Sequence, residues 1–196
     1  MFAQVVLFDG FDPLDAIGPY ETVLAGGIQA ELVTVEGPRE VPSGVGFSLG
    51  ATAALDPERA GIVLVPGAAG TSNDEILALL SKAAPTLAGP VGRALGADGV
   101  TVATVCGGSL ALAMAGLLAG RTATTNHLGL EALASLGVTA VPARVVDDGD
   151  LVTAAGVTSG IDLGLYLVER EVGARKAVEV ERLLAHERRG TVWSAA

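Results

Sequence analysis

TVATVCGGSLALAMAGLLAG, residues 101–120, carries three signals in a row. Thr101 to Val105 is a short β-branched run of the kind that forms a fully buried strand. Cys106 follows at once, then Gly107-Gly108-Ser109, then an uninterrupted apolar run from Leu110 to Ala115. Strand, sharp turn and helix are thus expected in that order, with the chain's one cysteine on the turn. This is the cysteine counterpart of the nucleophile elbow. The glycines permit a strained backbone and close approach by a substrate. The following helix is expected to aim its free N–H groups and positive dipole end at the sulfur, which favours thiolate over thiol. A free cysteine is commonly no more than a small buried hydrophobe. Its position between a buried strand and a glycine-opened helix favours the functional reading.

Working outward, Phe2 to Phe8 reads as a first buried strand. Asp12-Pro13 reads as an N-cap followed by proline at the first helical position. The helix it opens runs to about Ala25, disturbed by Gly18-Pro19 and stopped by Gly26-Gly27. Gln29 to Val35 is a second strand, and residues 37–50, rich in Gly, Pro and Ser, an irregular hairpin. Gly61 to Val65 is a strand that runs straight into Pro66-Gly67-Ala68-Ala69-Gly70. Ser72 or Asn73 caps a helix that Pro85 and Gly89-Pro90 interrupt before it resumes to about Ala97. Beyond the elbow, Thr122 to Thr124 is a short strand and Leu128 to Leu136 a helix closed by Gly137. Three candidate strands, Val138–Val141, Arg144–Val146 and Leu151–Ala154, surround the acidic turn 147–150. Thr158-Ser159 caps a helix bearing Ile161, Leu165, Val168 and Val172 on one face. A last helix carries Ala177, Val180 and Leu184 and stops at Gly190. Strands alternating with helices imply an α/β domain with a mainly parallel sheet.

Composition narrows the function classes. The 196 residues suit one domain, and 50% are hydrophobic but only 4% aromatic, so the core is built of Ala, Val, Leu and Ile. A formal net charge of -10 argues against nucleic acid or an anionic membrane as partner. One cysteine excludes an internal disulfide, the start MFAQVVLFDG lacks the features of a signal peptide, and no stretch approaches the length of a membrane span. A cytoplasmic protein is the expectation.

In an open α/β sheet, ligands gather at the carboxyl ends of the strands. The first strand leads to Asp15, the Gly61–Val65 strand to Gly67-Ala68, and the elbow to Cys106-Gly107. If those strands are neighbours, a carboxylate, a glycine-rich backbone loop and a thiol converge, a plausible nucleophile, acid/base and backbone-donor set.

The segments LFDGFDPLDAIGPYE, VPGAAG, TVCGGSLALAMAGLLAGRTATT and LVTAAGVTSGIDLGLYLVERE together resemble the ThiJ/PfpI superfamily. Within it they are most similar to the isonitrile hydratase branch and to the N-terminal domains of some AraC-type regulators. The resemblance implies one amidotransferase-like domain over residues 1–196, with a flavodoxin-like open sheet, mainly parallel, and helices on both faces. It implies Cys106 as nucleophile and Asp15 as the carboxylate that hydrogen-bonds the thiol and moves protons. The N–H groups of Gly107 and Ala68 would hold developing negative charge. Gly67, Gly108, Asn126 and His127 would border the substrate. Cys106 would attack the isonitrile carbon to give a thioimidate, which water then releases as an N-substituted formamide, with no metal or organic cofactor. Because thiolate and carboxylate repel, Asp15 is expected to have a raised pKa and to donate to Cys106 at neutral pH. The resemblance also implies a homodimer acting on a small molecule.

Two positions depart from the branch. Gly107 stands where the hydratases carry a hydroxyl residue. Relatives commonly read Thr-Thr-His where this chain reads Thr124-Thr125-Asn126-His127, which leaves His127 as a surface or rim residue. His186 lies about eighty residues after Cys106, near the amidotransferase spacing, but the residue two further on is Arg188 rather than glutamate; it reads as part of a solvated helix face. Two other readings use the same cysteine: a glyoxalase- or amidase-like hydrolase, and a non-enzymatic ligand or redox sensor. A regulator of the AraC type would need a DNA-binding region, and the chain ends within about ten residues of its last helix.

Overall fold

The β-branched runs form buried strands, and the punctuation between them forms turns. The computed structural model of the chain describes residues 1–194. In chain order its elements are β1 (Phe2–Val6), α1 (Pro13–Ala25), β2 (Gln29–Thr34), β3 (Arg39–Pro42), β4 (Ser48–Ala51), β5 (Ala53–Ala54), β6 (Ile62–Val65) and α2 (Asn73–Ala94). Next come β7 (Thr101–Val105), α3 (Gly108–Met114), β8 (Thr122–Ala123), a 3-10 turn at His127–Gly129, α4 (Leu130–Ser135) and β9 (Thr139–Ala140). The remainder is β10 (Val145–Asp147), β11 (Leu151–Ala154), α5 (Ser159–Glu171), α6 (Ala174–Leu184) and β12 (Trp193–Ser194).

Among the described residues, eight strands form one sheet in the order β12-β10-β11-β7-β6-β1-β2-β5. Every pairing in it is parallel except β10 with β11. Helices α1, α5 and α6 make one layer and α2, α3 and α4 another, with the sheet between them. The middle strands β6 and β7 are buried along their whole length, as the absence of polar alternation requires. The chain leaves β1 for β2 on one side and returns to β6 on the other. The carboxyl ends of β1, β6 and β7 therefore lie side by side, where such a sheet opens a crevice. Among the described residues, no helix is long and apolar enough to cross a membrane.

Three local expectations are corrected. Neither Pro85 nor Pro90 interrupts α2, which runs unbroken through both. Pro85 faces solvent, so the carbonyl it leaves without a partner is free to bond water, while Leu80, Ala83, Leu87 and Val91 hold the opposite face in the core. Thr158 stands at the N-cap of α5, but its side chain does not cap the helix. The first amides there are already taken by tight turns, as Ser159 N donates to Gly156 O at 2.7 Å, and Thr158 Oγ1 accepts from Arg144 Nη2 instead. Finally, α6 stops at Ala185 in the left-handed region (φ 49°), short of Gly190. Buried Asp162 draws the chain back by accepting from Arg189 N at 2.9 Å.

Helices α1 and α5 approach closely because Gly164 has no side chain. A Cβ there would lie 2.6 Å from Thr22 Cβ and 3.3 Å from Pro19 Cα. Gly164→Ala is therefore expected to cost about 1–3 kcal/mol by overpacking, read as a lower urea midpoint with unchanged slope.

Candidate active site

Three strand ends build the site. After β1, Asp12 caps α1 by accepting from Leu14 N at 2.9 Å, and Pro13 fixes the first helical turn. This sets Asp15 on the inner side of that turn with 0% of its surface exposed. Its Oδ2 accepts from Gly67 N at 3.1 Å, whereas Oδ1 is buried with no hydrogen-bond partner among the described residues. After β6, the loop is held by Asp12 N donating to Gly67 O (2.8 Å) and Ala69 N donating to Gly10 O (3.0 Å). After β7, Cys106 N continues the ladder to Ala154 O at 2.9 Å, and the chain then turns at φ 56°. Only Cys106 and Ala185 adopt positive φ among the non-glycine residues described. Such a conformation costs about 1–3 kcal/mol and collects at functional sites. Thr125 Oγ1 helps hold it by donating to Cys106 O at 2.7 Å.

Gly67 is where the three ends meet. A Cβ at Gly67 would lie 2.7 Å from Asp15 Oδ2, 2.7 Å from Gly107 N and 3.2 Å from Cys106 Cβ. Acid, amide and thiol thus surround one point with no room for a side chain.

The charges follow from burial. Desolvation pushes the Asp15 carboxyl up to about 8, helped by the charge of Asp12 and opposed by the Gly67 N–H and the Cys106 contact. The Cys106 thiol is pushed up to about 12, first by burial and then by the charge of Asp15, against hydrogen bonds from Gly107 N–H and the Asn126 side chain. The expectation that the helix end favours thiolate is therefore corrected. Helix α3 has only seven residues, and its leading amide does not outweigh desolvation and a neighbouring acid. At neutral pH both groups keep their protons. Since Oδ2 is accepting from Gly67 N, Oδ1 is the oxygen free to carry the acid's proton.

A cavity of about 170 Å³ opens above the thiol. Ala68, Cys106 and Gly107 form its base. Ile76, Leu77 and Leu80 of α2, Leu110 of α3, Leu128 of the 3-10 turn and Ala132 of α4 supply hydrocarbon walls. Asn73 and Asn126 are its polar side chains, and none of the described residues that line it is charged. Of the positions singled out from sequence, Cys106, Gly107, Ala68 and Asn126 line the cavity, with buried Asp15 held beneath through Gly67. Gly108 is elsewhere: a Cβ on it would strike Val65 O at 2.3 Å, so its smallness serves α3 packing. His127 is exposed and does not line the cavity. His186 is not on a solvated helix face, because α6 has already ended; it lies half-buried with Nε2 3.4 Å from Asp162 Oδ1.

Leu80 was not legible as a site residue. A Cβ on Gly107 would lie 2.7 Å from Leu80 Cδ1, so the leucine fills the space a side chain on Gly107 would take. Its helical spacing from Ile76 marks a shared face but not what that face covers.

The sequence pattern of the DJ-1/PfpI family matches residues 2–170. An isonitrile hydratase from Pseudomonas putida is 36% identical over 188 residues, which cover 92% of this chain and 76% of that protein. Protein DJ-1 homolog A of Arabidopsis thaliana is 30% identical over 189 residues, 93% of this chain but 47% of its own length. Among solved structures, Drosophila melanogaster DJ-1beta superposes with a TM-score of 0.82 over 95% of this chain and 98% of its own, at 19% identity, a likeness of fold alone. A ThiJ/PfpI family protein from Pseudomonas syringae gives 0.78 over 100% of this chain and 78% of its own, at 25% identity.

Proposed function

The chain belongs to the DJ-1/PfpI family, and from that premise we propose that it hydrates isonitriles to N-substituted formamides through Cys106. The observation that supports this most is a buried acid converging with the thiol at Gly67, both pushed toward their protonated forms by burial, at the floor of a cavity that neither histidine lines. An isonitrile carbon bears a lone pair and, once protonated, is open to attack. It needs a proton and a nucleophile at the same atom. Asp15 gives its proton to that carbon, sulfur forms the C–S bond, and the carboxylate takes up the thiol's proton. The sum is addition of S–H to the carbon, leaving a thioimidate. Water then adds to the same carbon, with Asp15 carrying its proton to nitrogen. As the C–S bond breaks, the added hydroxyl becomes the formamide carbonyl and its proton passes to the sulfur, so the formamide leaves and thiol and acid are restored. Gly107 N–H faces the sulfur, and Ala68 borders the reacting carbon. The hydrocarbon walls take the uncharged R group. A thiol pushed up to about 12 is slow to oxidise, which weighs against the redox-sensor reading.

The decisive assay is formamide production from a small aliphatic isonitrile, with Cys106→Ala as control. Turnover that vanishes in the variant is expected; no turnover by the intact protein would refute the proposal. Since the reaction starts from the protonated acid, kcat/KM should be flat at lower pH. It should fall about tenfold per pH unit above the Asp15 value of about 8. An acidic limb with no fall on the alkaline side would reverse the assignment of Asp15. We further propose a homodimer, supported by Val45 and Phe47, left 59% and 50% exposed on the β3–β4 turn; light scattering at the monomer mass would overturn it.

A further inference from the structure

We propose that Asn126 is a catalytic residue: its Nδ2 donates to the sulfur of Cys106 and holds the negative charge that gathers there as the thiol's proton leaves and again as the C–S bond breaks. The inference rests on Cys106 as the nucleophile and adds a role that the approach of substrate alone does not give Asn126.

Two tethers place the amide. Thr125 Oγ1 donates to Cys106 O at 2.7 Å, tying the preceding residue to the elbow itself. Asn126 Oδ1 accepts from Leu128 N at 3.1 Å, capping the 3-10 turn. That second bond settles which end of the side-chain amide is which. With Oδ1 committed, Nδ2 is the end left for the site, and Asn126 and Cys106 line the same cavity, where the amide's proximity favours the thiolate. Gly156 gives Nδ2 its room, since a Cβ there would stand 3.3 Å away.

The need for such a donor follows from its neighbours. Asp15, once ionised, repels negative charge on the sulfur. Leu80 occupies the space where a side chain on Gly107 would bring a hydroxyl, so that wall offers hydrocarbon. Gly107 N–H and the Asn126 amide are the neighbouring groups that favour the thiolate. An amide has no proton to exchange near neutrality, so both proton transfers fall to Asp15, and the alkaline pH limb is the carboxyl's alone.

The test reads the sulfur directly. The rate of alkylation by iodoacetamide is followed from about pH 7 to about pH 10 in the intact protein and in Asn126→Ser and Asn126→Asp, with melting temperatures alongside. Serine and aspartate both keep an oxygen for Leu128 N–H, but neither brings an N–H to the sulfur. Loss of one hydrogen bond to thiolate should raise the thiol's titration by about one pH unit in Asn126→Ser, and further in Asn126→Asp. Thiolate becomes about tenfold scarcer, but a less acidic thiolate is more nucleophilic, so alkylation at fixed pH falls about threefold. Unchanged profiles in both variants, at wild-type melting temperature, overturn the proposal. If Asn126→Ser melts early, Asn126→Asp decides alone. Alkylation involves no isonitrile, so a failed hydratase assay and a failed role for Asn126 are separate results.

Discussion

Asp15→Asn protein is expected to form formamide about 10²–10⁴-fold more slowly than wild type while melting at a higher temperature at pH 7. The two effects have one cause. Asp15 is wholly buried and its carboxyl is pushed up to about 8, so folding opposes its ionisation. In the unfolded chain the same group ionises near about 3.9. The penalty is absent below that value, grows as pH rises, and stops growing once pH passes the folded value of about 8. At pH 7 it amounts to roughly 4 kcal/mol at most. Asparagine cannot ionise, its oxygen can still accept from Gly67 N, and its Nδ2 stands where the protonated Oδ1 stood. The stability gap between variant and wild type should open from about pH 4 and level off near the Asp15 value of about 8. At roughly 2–4 °C per kcal/mol for a domain of this size, the gain at pH 7 is several degrees. A variant as stable as wild type throughout that range would mean that Asp15 ionises freely, and the proton-donor role would fall with it.

Gly67→Ala should fail in both respects. The new methyl would stand 2.7 Å from both Asp15 Oδ2 and Gly107 N, and neither is the loose end of a flexible side chain. One belongs to a buried acid, the other to the turn that holds Cys106. Relief requires the β6 loop to part from the elbow, at about 1–3 kcal/mol. Acid and thiol then separate, and a displacement near 1 Å is enough for about a hundredfold loss in rate. Gly164→Ala is the fitting control, because it overpacks the α1–α5 contact to a similar extent away from the cavity. Equal destabilisation in the two variants, with activity lost only in Gly67→Ala, is the expected pattern. Equal activity in both would show that the convergence on Gly67 is not what the reaction needs.

Much of this was legible in the chain itself. The β-branched run before Cys106, the glycines after it, Asp12-Pro13 ahead of Asp15, and the strand running into Gly67 are local patterns. Backbone sterics and capping fix what such patterns do over a few residues. They gave the mainly parallel α/β fold and the three strand ends that carry acid, loop and thiol. Tertiary structure decided what depends on residues far apart. It set β7, β6 and β1 side by side, so the three ends meet. It drove α2 straight through two prolines, because the packing of its apolar face outweighs two lost backbone bonds. It brought Leu80 over Gly107 and separated His127 from the cavity that Asn126 lines. Above all it reversed the expected state of the sulfur. A helix end is visible in sequence, but desolvation depends on everything that closes around an atom, and here that closure keeps the proton on.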